Sequence, residues 1–163
     1  MAAGLHFIAL LCLAGGLWIG ANADPSEECC VTCKTCPTGW TQFGDHCYLY
    51  HNDEKNWPDA EVACIGLGAN LASIPNKAVH EFLKQIILTA TNYQRRTWAG
   101  GHDTIKEGLW MWTDGSRFDF KLWLTGEPNN GHKREHCLEL NYLGGPNDVH
   151  CSERKPFICG KRL

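Results

Sequence analysis

The chain has 163 residues, with 15 Lys and Arg against 18 Asp and Glu, and a formal net charge of -3. This acidic balance argues against a nucleic-acid partner, whose binding surface would need an excess of basic residues. Once a leader is removed, the remaining residues suffice for one domain of ordinary size and are too few for two.

Residues 1–23 have the pattern of a secretory signal peptide. They contain no Lys, Arg, Asp or Glu, and they end in Ala21-Asn22-Ala23, a small-x-small sequence that favours cleavage before Asp24. A retained membrane anchor is the alternative, but the apolar run is shorter than the ~20 residues that a span needs. We therefore predict a secreted, extracellular protein without a membrane span.

Cysteine usage supports export. All but one of the 10 cysteines follow the predicted signal peptide, a density typical of small extracellular domains held by disulfides. The sequence by itself does not fix how they pair.

The first half of the mature chain predicts a hairpin and two helices. Residues 36–50 form two short strands around Gly44-Asp45, after a short polar tail at residues 24–35. Asn56 caps a first helix that Gly68 ends, with Ala60, Ala63, Cys64 and Leu67 on its buried face. Asn76 caps a second helix that runs to about Thr91, and its apolar stripe consists of Val79, Phe82, Leu83, Ile86 and Ile87.

Strand patterns dominate the second half. We predict strands at residues 97–101, 110–112, 138–142 and 155–159. Sugars often stack on aromatic faces, but the tryptophans in these patterns adjoin apolar residues, so we assign them to the core: Trp40, Trp98, Trp110 and Trp112.

Between Glu127 and Cys151 the chain concentrates oxygen donors. Three carboxylates and two amides occur there, namely Glu127, Asn129, Glu135, Asn147 and Asp148. Calcium takes roughly 6 to 8 oxygen ligands of this kind, and three carboxylates would repel one another without a cation. The stretch therefore predicts a Ca2+ site.

The order of these residues resembles the primary calcium site of C-type lectin domains. It consists of Glu127-Pro128-Asn129, an acid two residues before Cys137, and Asn147-Asp148 shortly before Cys151. The resemblance covers residues 36–163. It implies an α+β, long-form C-type lectin-like domain with two helices and two small antiparallel sheets, a cis Glu127-Pro128 bond, and disulfides that join Cys36 to Cys47, Cys64 to Cys159, and Cys137 to Cys151.

By this resemblance the protein is a non-enzymatic, calcium-dependent lectin. The same five residues would hold calcium and bind two sugar hydroxyls, and the E-P-N triplet implies mannose-type sugars, whereas Q-P-D implies galactose. Glycans would thus be the partners, with agglutination or innate immunity as the setting. The fold is also used by type II antifreeze proteins and by venom proteins that bind receptors, so ice binding and protein binding remain alternatives.

Three cysteines of the tail stay unassigned by these pairings, namely Cys29, Cys30 and Cys33. Because three is an odd number, at least one of these thiols must stay free or pair between chains. An oxidising compartment favours pairing, so we predict a disulfide-linked homo-oligomer. A metal or redox motif is the alternative, which a secreted chain makes less favourable.

A second calcium position and a peptidase motif complete the candidates. The resemblance places auxiliary calcium ligands at Asp103, Glu107 and Asn130, but His136 stands where an acid is common, and histidine suits calcium poorly. His132 to His136 matches H-x-x-E-H, a zinc-peptidase signature that requires a helix, and the preceding turn-forming residues argue against a helix. Lys133 and Arg134 could contact an acidic glycan or simply be solvated.

Overall fold

The computed structural model describes residues 35–163. The predicted signal peptide and the tail cysteines Cys29, Cys30 and Cys33 lie outside the described residues. Within residues 35–163, no helix is both long and apolar enough to cross a membrane.

Eight strands and two α-helices make up the described part of the chain. The strands are β1 (Thr41–Phe43), β2 (His46–Lys55), β3 (Asn70–Leu71), β4 (Thr97–His102), β5 (Met111–Trp112), β6 (Cys137–Tyr142), β7 (Gly145–Val149) and β8 (Lys155–Arg162). The helices are α1 (Trp57–Ile65) and α2 (Lys77–Thr91).

Both helices begin at the asparagines that the sequence indicates. Asn56 Oδ1 accepts a hydrogen bond from the Asp59 N–H at 2.8 Å, and Asn76 Oδ1 accepts one from the Val79 N–H at 3.0 Å. α2 ends at Thr91 as predicted, and Asn92 follows in a left-handed conformation.

α1 is shorter than predicted. It ends at Ile65, and a turn over the next residues carries the chain to Gly68, whose φ is +66°. Leu67 therefore lies in the turn and is 42% exposed, so its assignment to the buried face of α1 was wrong. Ala60 and Cys64 are fully buried, as predicted.

The strands form one connected sheet in the order β1-β2-β8-β4-β6-β7, with β3 beside β8 and β5 beside β4. The predicted antiparallel ladders are present, and a parallel pairing of Trp98 in β4 with Phe157 in β8 joins them. The sheet is therefore mixed. A contact between residues so distant in sequence leaves no local pattern from which it could be predicted.

Two clusters of buried side chains lie against this sheet. One includes Leu83 and Ile87 of α2 with Leu138, Leu140 and others, and the second includes Trp98, Phe157 and the Cys64–Cys159 disulfide. Trp98 and Trp112 are buried as predicted. Trp40 and Trp110 are only partly buried and pack against the clusters from outside, and each lies immediately before its strand.

The structure contains the three disulfides that the family resemblance implies: Cys36–Cys47, Cys64–Cys159 and Cys137–Cys151. The third joins the start of β6 to the residues after β7, and so closes the hairpin that carries Asn147 and Asp148.

Residues 113–136 connect β5 to β6 without a strand of their own, and we call them the β5–β6 segment. Their one short 3-10 turn covers Gly131–Lys133. β7 was not among the predicted strands, and Pro146, which lacks the N–H of a regular strand residue, lies within it. β7 is the last strand of the sheet order, and an edge strand tolerates a proline that cannot donate a hydrogen bond.

Candidate metal centre

Two parts of the chain supply the predicted ligands. Glu127, Asn129 and Glu135 lie in the β5–β6 segment, and Asn147 and Asp148 lie in β7. The segment is attached to β7 by a backbone hydrogen bond from the Leu124 N–H to the Pro146 carbonyl, at 2.9 Å. The Glu127-Pro128 bond is cis, as the resemblance implies.

Asp148 joins the two parts. Its side chain is 1% exposed, and its two carboxylate oxygens accept hydrogen bonds from the backbone N–H groups of Asn129 at 3.0 Å and Asn130 at 2.8 Å. Charged acceptors form the stronger class of hydrogen bond. Asp148 therefore fixes the backbone that carries Asn129 against β7.

Glu135 closes the segment on its other side. Its Oε2 accepts from the Gly131 N–H at 2.7 Å, and its own N–H donates to Asn130 Oδ1 at 3.1 Å. Between these contacts Asn130, His132 and Lys133 have φ values of +46°, +55° and +59°. Left-handed conformations are uncommon for residues other than glycine, so these contacts hold a turn that the local sequence does not favour.

Two carboxylates of this region, Glu127 and Glu135, are poorly stabilised as anions. Glu127 Oε2 is buried and has no hydrogen-bond partner among residues 35–163. Burial, followed by the nearby Asp148 carboxyl, raises the pKa of Glu127, and burial raises the pKa of Glu135. Repulsion between carboxylates and a buried oxygen without a donor are both relieved by a bound cation.

These residues fit calcium by the chemistry of their donors. All five side chains offer oxygen, which is the ligand atom that calcium selects, and the set mixes carboxylates with amide carbonyls. The carboxylate oxygens of Glu127, Glu135 and Asp148 do not all lie within 4.8 Å of one another. In residues 35–163 a different set of side chains, described below, meets that criterion.

Sequence reasoning missed Glu139, which holds Asn147. Glu139 is 0% exposed, and its Oε1 accepts a hydrogen bond from Asn147 Nδ2 at 3.0 Å. Because a carboxylate only accepts hydrogen bonds, the Asn147 amide must turn its NH2 group toward Glu139 and its carbonyl oxygen away. The signal in the sequence is a charged residue between Leu138 and Leu140 in a buried strand.

Two cations neutralise Glu139. Arg96 donates to both of its oxygens at 2.8 and 2.6 Å, and Lys155 Nζ lies 3.2 Å from Oε2. Lys155 is 4% exposed, and its charge also approaches the Trp98 ring, at 5.0 Å from the centroid. Glu139, which orients Asn147, is therefore held within the sheet together with its two compensating cations.

The auxiliary positions form a separate group. His136 Nδ1 lies 3.0 Å from Asp103 Oδ1 and 3.5 Å from Glu107 Oε2, and Asn130 Nδ2 donates to Glu107. All three predicted auxiliary residues thus meet there, with His136 as an additional member.

The H-x-x-E-H motif does not form a helix. His132 lies in the 3-10 turn with φ +55°, and Glu135 and His136 follow it outside any helix or strand. The two histidines are therefore not presented on one helical face. Lys133 and Arg134 are exposed, and neither belongs to an ion pair within residues 35–163.

Comparison with known proteins agrees with this architecture. The family described as "Lectin C-type domain" matches residues 53–161. The chain is 41% identical to the galactose-specific lectin nattectin of Thalassophryne nattereri, over 100% of both chains. It is 42% identical to ladderlectin of Oncorhynchus mykiss, over 86% of this chain and 75% of that one.

Solved structures share the fold. Herring type II antifreeze protein superimposes with a TM-score of 0.72 at 32% identity, over 78% of this chain and 99% of that one.

Proposed function

The chain belongs to the C-type lectin domain family, and we propose that it is a secreted, calcium-dependent carbohydrate-binding protein without catalytic activity. Its proposed ligand set for both calcium and sugar is Glu127, Asn129, Glu135, Asn147 and Asp148. The observation that carries the proposal is the buried Glu127 Oε2, which has no hydrogen-bond partner in residues 35–163 although two further carboxyls approach it.

Sugar recognition by this set follows from its hydrogen-bonding groups. Bound calcium would supply Lewis-acid coordination for two neighbouring sugar hydroxyls, while the side chains of the five residues would orient those hydroxyls. Asn129 and Asn147 each present N–H donors, and Glu127 and Glu135 present acceptors, so each hydroxyl can donate and accept at once. One N–H of Asn147 is taken by Glu139, which leaves the other for a sugar.

The E-P-N triplet leads us to propose mannose-type specificity. The alternative is galactose, which the name of nattectin favours, at 41% identity over the whole chain. Residues outside the triplet also shape such a site, and the exposed, basic Lys133 and Arg134 lie between Asn129 and Glu135 in the sequence.

We further propose that the tail cysteines Cys29, Cys30 and Cys33 link chains into an oligomer. Single sugar sites bind weakly, because contacts with sugar replace good contacts with water. Linking sites raises avidity by about 10²- to 10⁴-fold where the geometry lets two sites engage together. Non-reducing electrophoresis of the mature protein should therefore show bands above the monomer mass, and a single monomer band would contradict this proposal.

Chromatography on immobilised sugars tests the function. We expect the mature protein to be retained on mannose in calcium and released by a chelator. Retention on galactose would support the lectin proposal but replace mannose with galactose as the proposed specificity. Retention on neither sugar would overturn the lectin proposal. The variant Asp148→Asn should lose retention in calcium, and Asp53→Asn, a change at an exposed residue of β2, is the matched control.

A double substitution tests the assignment of specificity to residues 127–129. Glu127→Gln with Asn129→Asp exchanges donor and acceptor around the same oxygen positions. We expect it to shift retention from mannose toward galactose while calcium binding persists. A double variant that still prefers mannose would contradict the proposed recognition mechanism.

Ice binding is the second candidate, which the likeness to herring type II antifreeze protein favours. Thermal hysteresis of the mature protein, measured with calcium and with chelator, distinguishes it. Ice activity without retention on sugar would replace the lectin proposal.

A further inference from the structure

A group with a different metal preference lies beside the proposed calcium site. It consists of Asp103, Glu107 and His136, whose ligand atoms all lie within 4.8 Å of one another. It is the one group of three such residues, among residues 35–163, that meets this criterion. We call it the imidazole–carboxylate group.

The sheet places two of its members. Asp103 follows β4 and His136 precedes β6, and these neighbouring strands pair antiparallel with His102 opposite Cys137. The ladder continues one step further, because the Asp103 N–H donates to the His136 carbonyl at 3.1 Å. The spacing of the two side chains is thus set by strand pairing.

Further contacts hold the carboxylates. Asp103 is 1% exposed, and its Oδ2 accepts from the Gly108 N–H at 2.8 Å, which leaves Oδ1 directed at His136. The Lys106 N–H donates to the Asp103 carbonyl at 3.0 Å, and this turn brings Glu107 back to the same point. Glu107 is 56% exposed in its side chain, which gives the group access to solvent.

The donor atoms do not suit calcium. Calcium takes six or more oxygens and disfavours nitrogen, whereas zinc binds imidazole nitrogen and carboxylate oxygen in sets of four. One buried and one exposed carboxylate with an imidazole provide three ligands and leave the fourth position to water. Among divalent metals, imidazole is a ligand of zinc, copper, iron and nickel rather than of calcium.

We propose that Asp103, Glu107 and His136 form a zinc site that is distinct in its metal from the calcium site. This replaces the expectation of a second calcium, with auxiliary ligands Asp103, Glu107 and Asn130, at this position. Asn130 donates to Glu107 through Nδ2, which makes it an outer partner of the zinc ligand, and it accepts from the Glu135 N–H through Oδ1. Zinc would therefore hold one end of the turn that carries Glu135.

The competing interpretation is an ion pair in which a protonated His136 neutralises Asp103. Both interpretations use the same contact of 3.0 Å, so metal titration must separate them. An ion pair predicts no stoichiometric zinc binding, and it predicts that any residual zinc binding is unchanged in a Glu107 variant.

The test is a titration of the mature, oxidised protein with zinc, by calorimetry, in calcium sufficient to saturate the first site. Cobalt, titrated in parallel, reports its ligands by its visible absorption. We expect one zinc to bind per chain and to remain bound in excess calcium. The visible absorption of the cobalt-loaded protein should indicate nitrogen and oxygen ligands, without sulfur charge-transfer bands. Sulfur bands would assign the metal to the tail cysteines and overturn the proposal.

Three variants decide the assignment. His136→Gln and Glu107→Gln should each weaken zinc binding by at least about 10-fold, since even the loss of an outer partner costs that much. His132→Gln removes an exposed histidine of the same segment and should leave zinc affinity unchanged. Unchanged affinity in both His136→Gln and Glu107→Gln would overturn the site.

His136→Asp provides the converse result. It restores an all-oxygen donor set, and we expect it to lose zinc while it gains a second calcium. Glu107 is exposed, so its variant remains informative if a change at His136 disturbs folding. Zinc binding by calorimetry does not depend on sugar retention, so failure of the lectin proposal and failure of the zinc site are distinguishable.

Discussion

The sheet and the β5–β6 segment treat buried carboxylates in opposite ways. In the sheet, Glu139 is surrounded by Arg96, Lys155 and the Asn147 amide. In the segment, Glu127 has a buried oxygen with no partner among residues 35–163, and its pKa is raised by burial and by Asp148.

The two carboxylates differ in the source of the positive charge that compensates them: the chain itself for Glu139, and a bound cation for Glu127. Cations of the chain compensate Glu139, so it is stable when the protein folds. Glu127 and Glu135 have raised pKa values, so folding disfavours their anions until a cation arrives. A residue of the first kind supports the fold, and a residue of the second kind supports binding.

The largest effect should come from removing the sheet carboxylate. Glu139→Leu leaves Arg96 and Lys155 without their buried partner, which should cost about 3–5 kcal/mol of unfolding free energy. Urea denaturation in chelator measures it. Glu153→Gln is the control, because Glu153 contacts the same two cations but is 43% exposed in its side chain. If Glu139→Leu lowers the unfolding free energy by less than about 1 kcal/mol, the proposed structural role of Glu139 is contradicted.

Two glycines, one in the sheet and one in the β5–β6 segment, show how tightly each region is packed. In the sheet, a Cβ at Gly100 would overlap the Leu71 carbonyl and lie 2.9 Å from Thr113 Oγ1. Backbone cannot move aside cheaply, so Gly100→Ala should lower the unfolding free energy by about 1–3 kcal/mol. Differential scanning calorimetry in chelator would show the drop, and an unchanged melting temperature would refute the close approach.

In the segment, the matched change is Gly131→Ala. Its Cβ would lie 2.6 Å from Glu135 Oε2 and 3.3 Å from Asn129 Oδ1, which are two proposed calcium ligands. Those side chains can shift, so we expect a stability loss in chelator smaller than that of Gly100→Ala and a weaker calcium affinity. Calcium titration by intrinsic tryptophan fluorescence measures it. Equal calcium affinity in Gly131→Ala and wild type would argue against Glu135 and Asn129 as ligands.

The smallest effect concerns pH and a histidine of α2. Burial lowers the pKa of His80 below 6.5, and although Glu81 opposes this shift, Lys84 and Lys77 add to it. The folded state therefore binds this proton less readily than the unfolded state, so the stability contributed by neutral His80 is present above about pH 6.5 and is lost as the pH falls below that value.

Comparing wild type with His80→Gln isolates this contribution. The unfolding free energy, from denaturant titrations in chelator, should fall further between pH 7.5 and pH 5 in wild type than in the variant. The extra loss should be no more than about 1.4 kcal/mol per unit of difference between the folded and unfolded pKa. Glu127 and Glu135 titrate in both proteins and cancel in the comparison. Parallel losses in the two proteins would contradict the role of His80.

Local patterns were enough to predict the helix starts and most strands. Asn56 and Asn76 cap the helices because their side chains reach backbone N–H groups three residues on, which is a purely local interaction. The end of α1 was misplaced because either Gly66 or Gly68 could terminate the helix. β7 escaped prediction because Pro146 is compatible with a strand only at a sheet edge, and position in the sheet is a tertiary property.

The site was predicted unevenly for a related reason. Resemblance placed the five calcium ligands, and their roles remain proposals. The charge of Glu139 between two leucines marks it in the sequence, but its role was missed because its contacts with Arg96 and Asn147 form only when the sheet assembles. His136 was recognised as a poor calcium ligand, but its approach to Asp103 and Glu107 depends on the pairing of β4 with β6.

The β5–β6 segment leaves the sheet after Trp112 and returns at Cys137, and both residues are buried. It can therefore be regarded as a cassette, in which residues 113–136 change while the two attachment points stay constant. Glu127-Pro128-Asn129 lies inside the cassette, whereas Glu139 and Asn147 lie outside it. Evolution could then retarget the domain, and an engineer could graft another loop, provided that the aromatic side chains of residues 118–123 that pack against the core are kept.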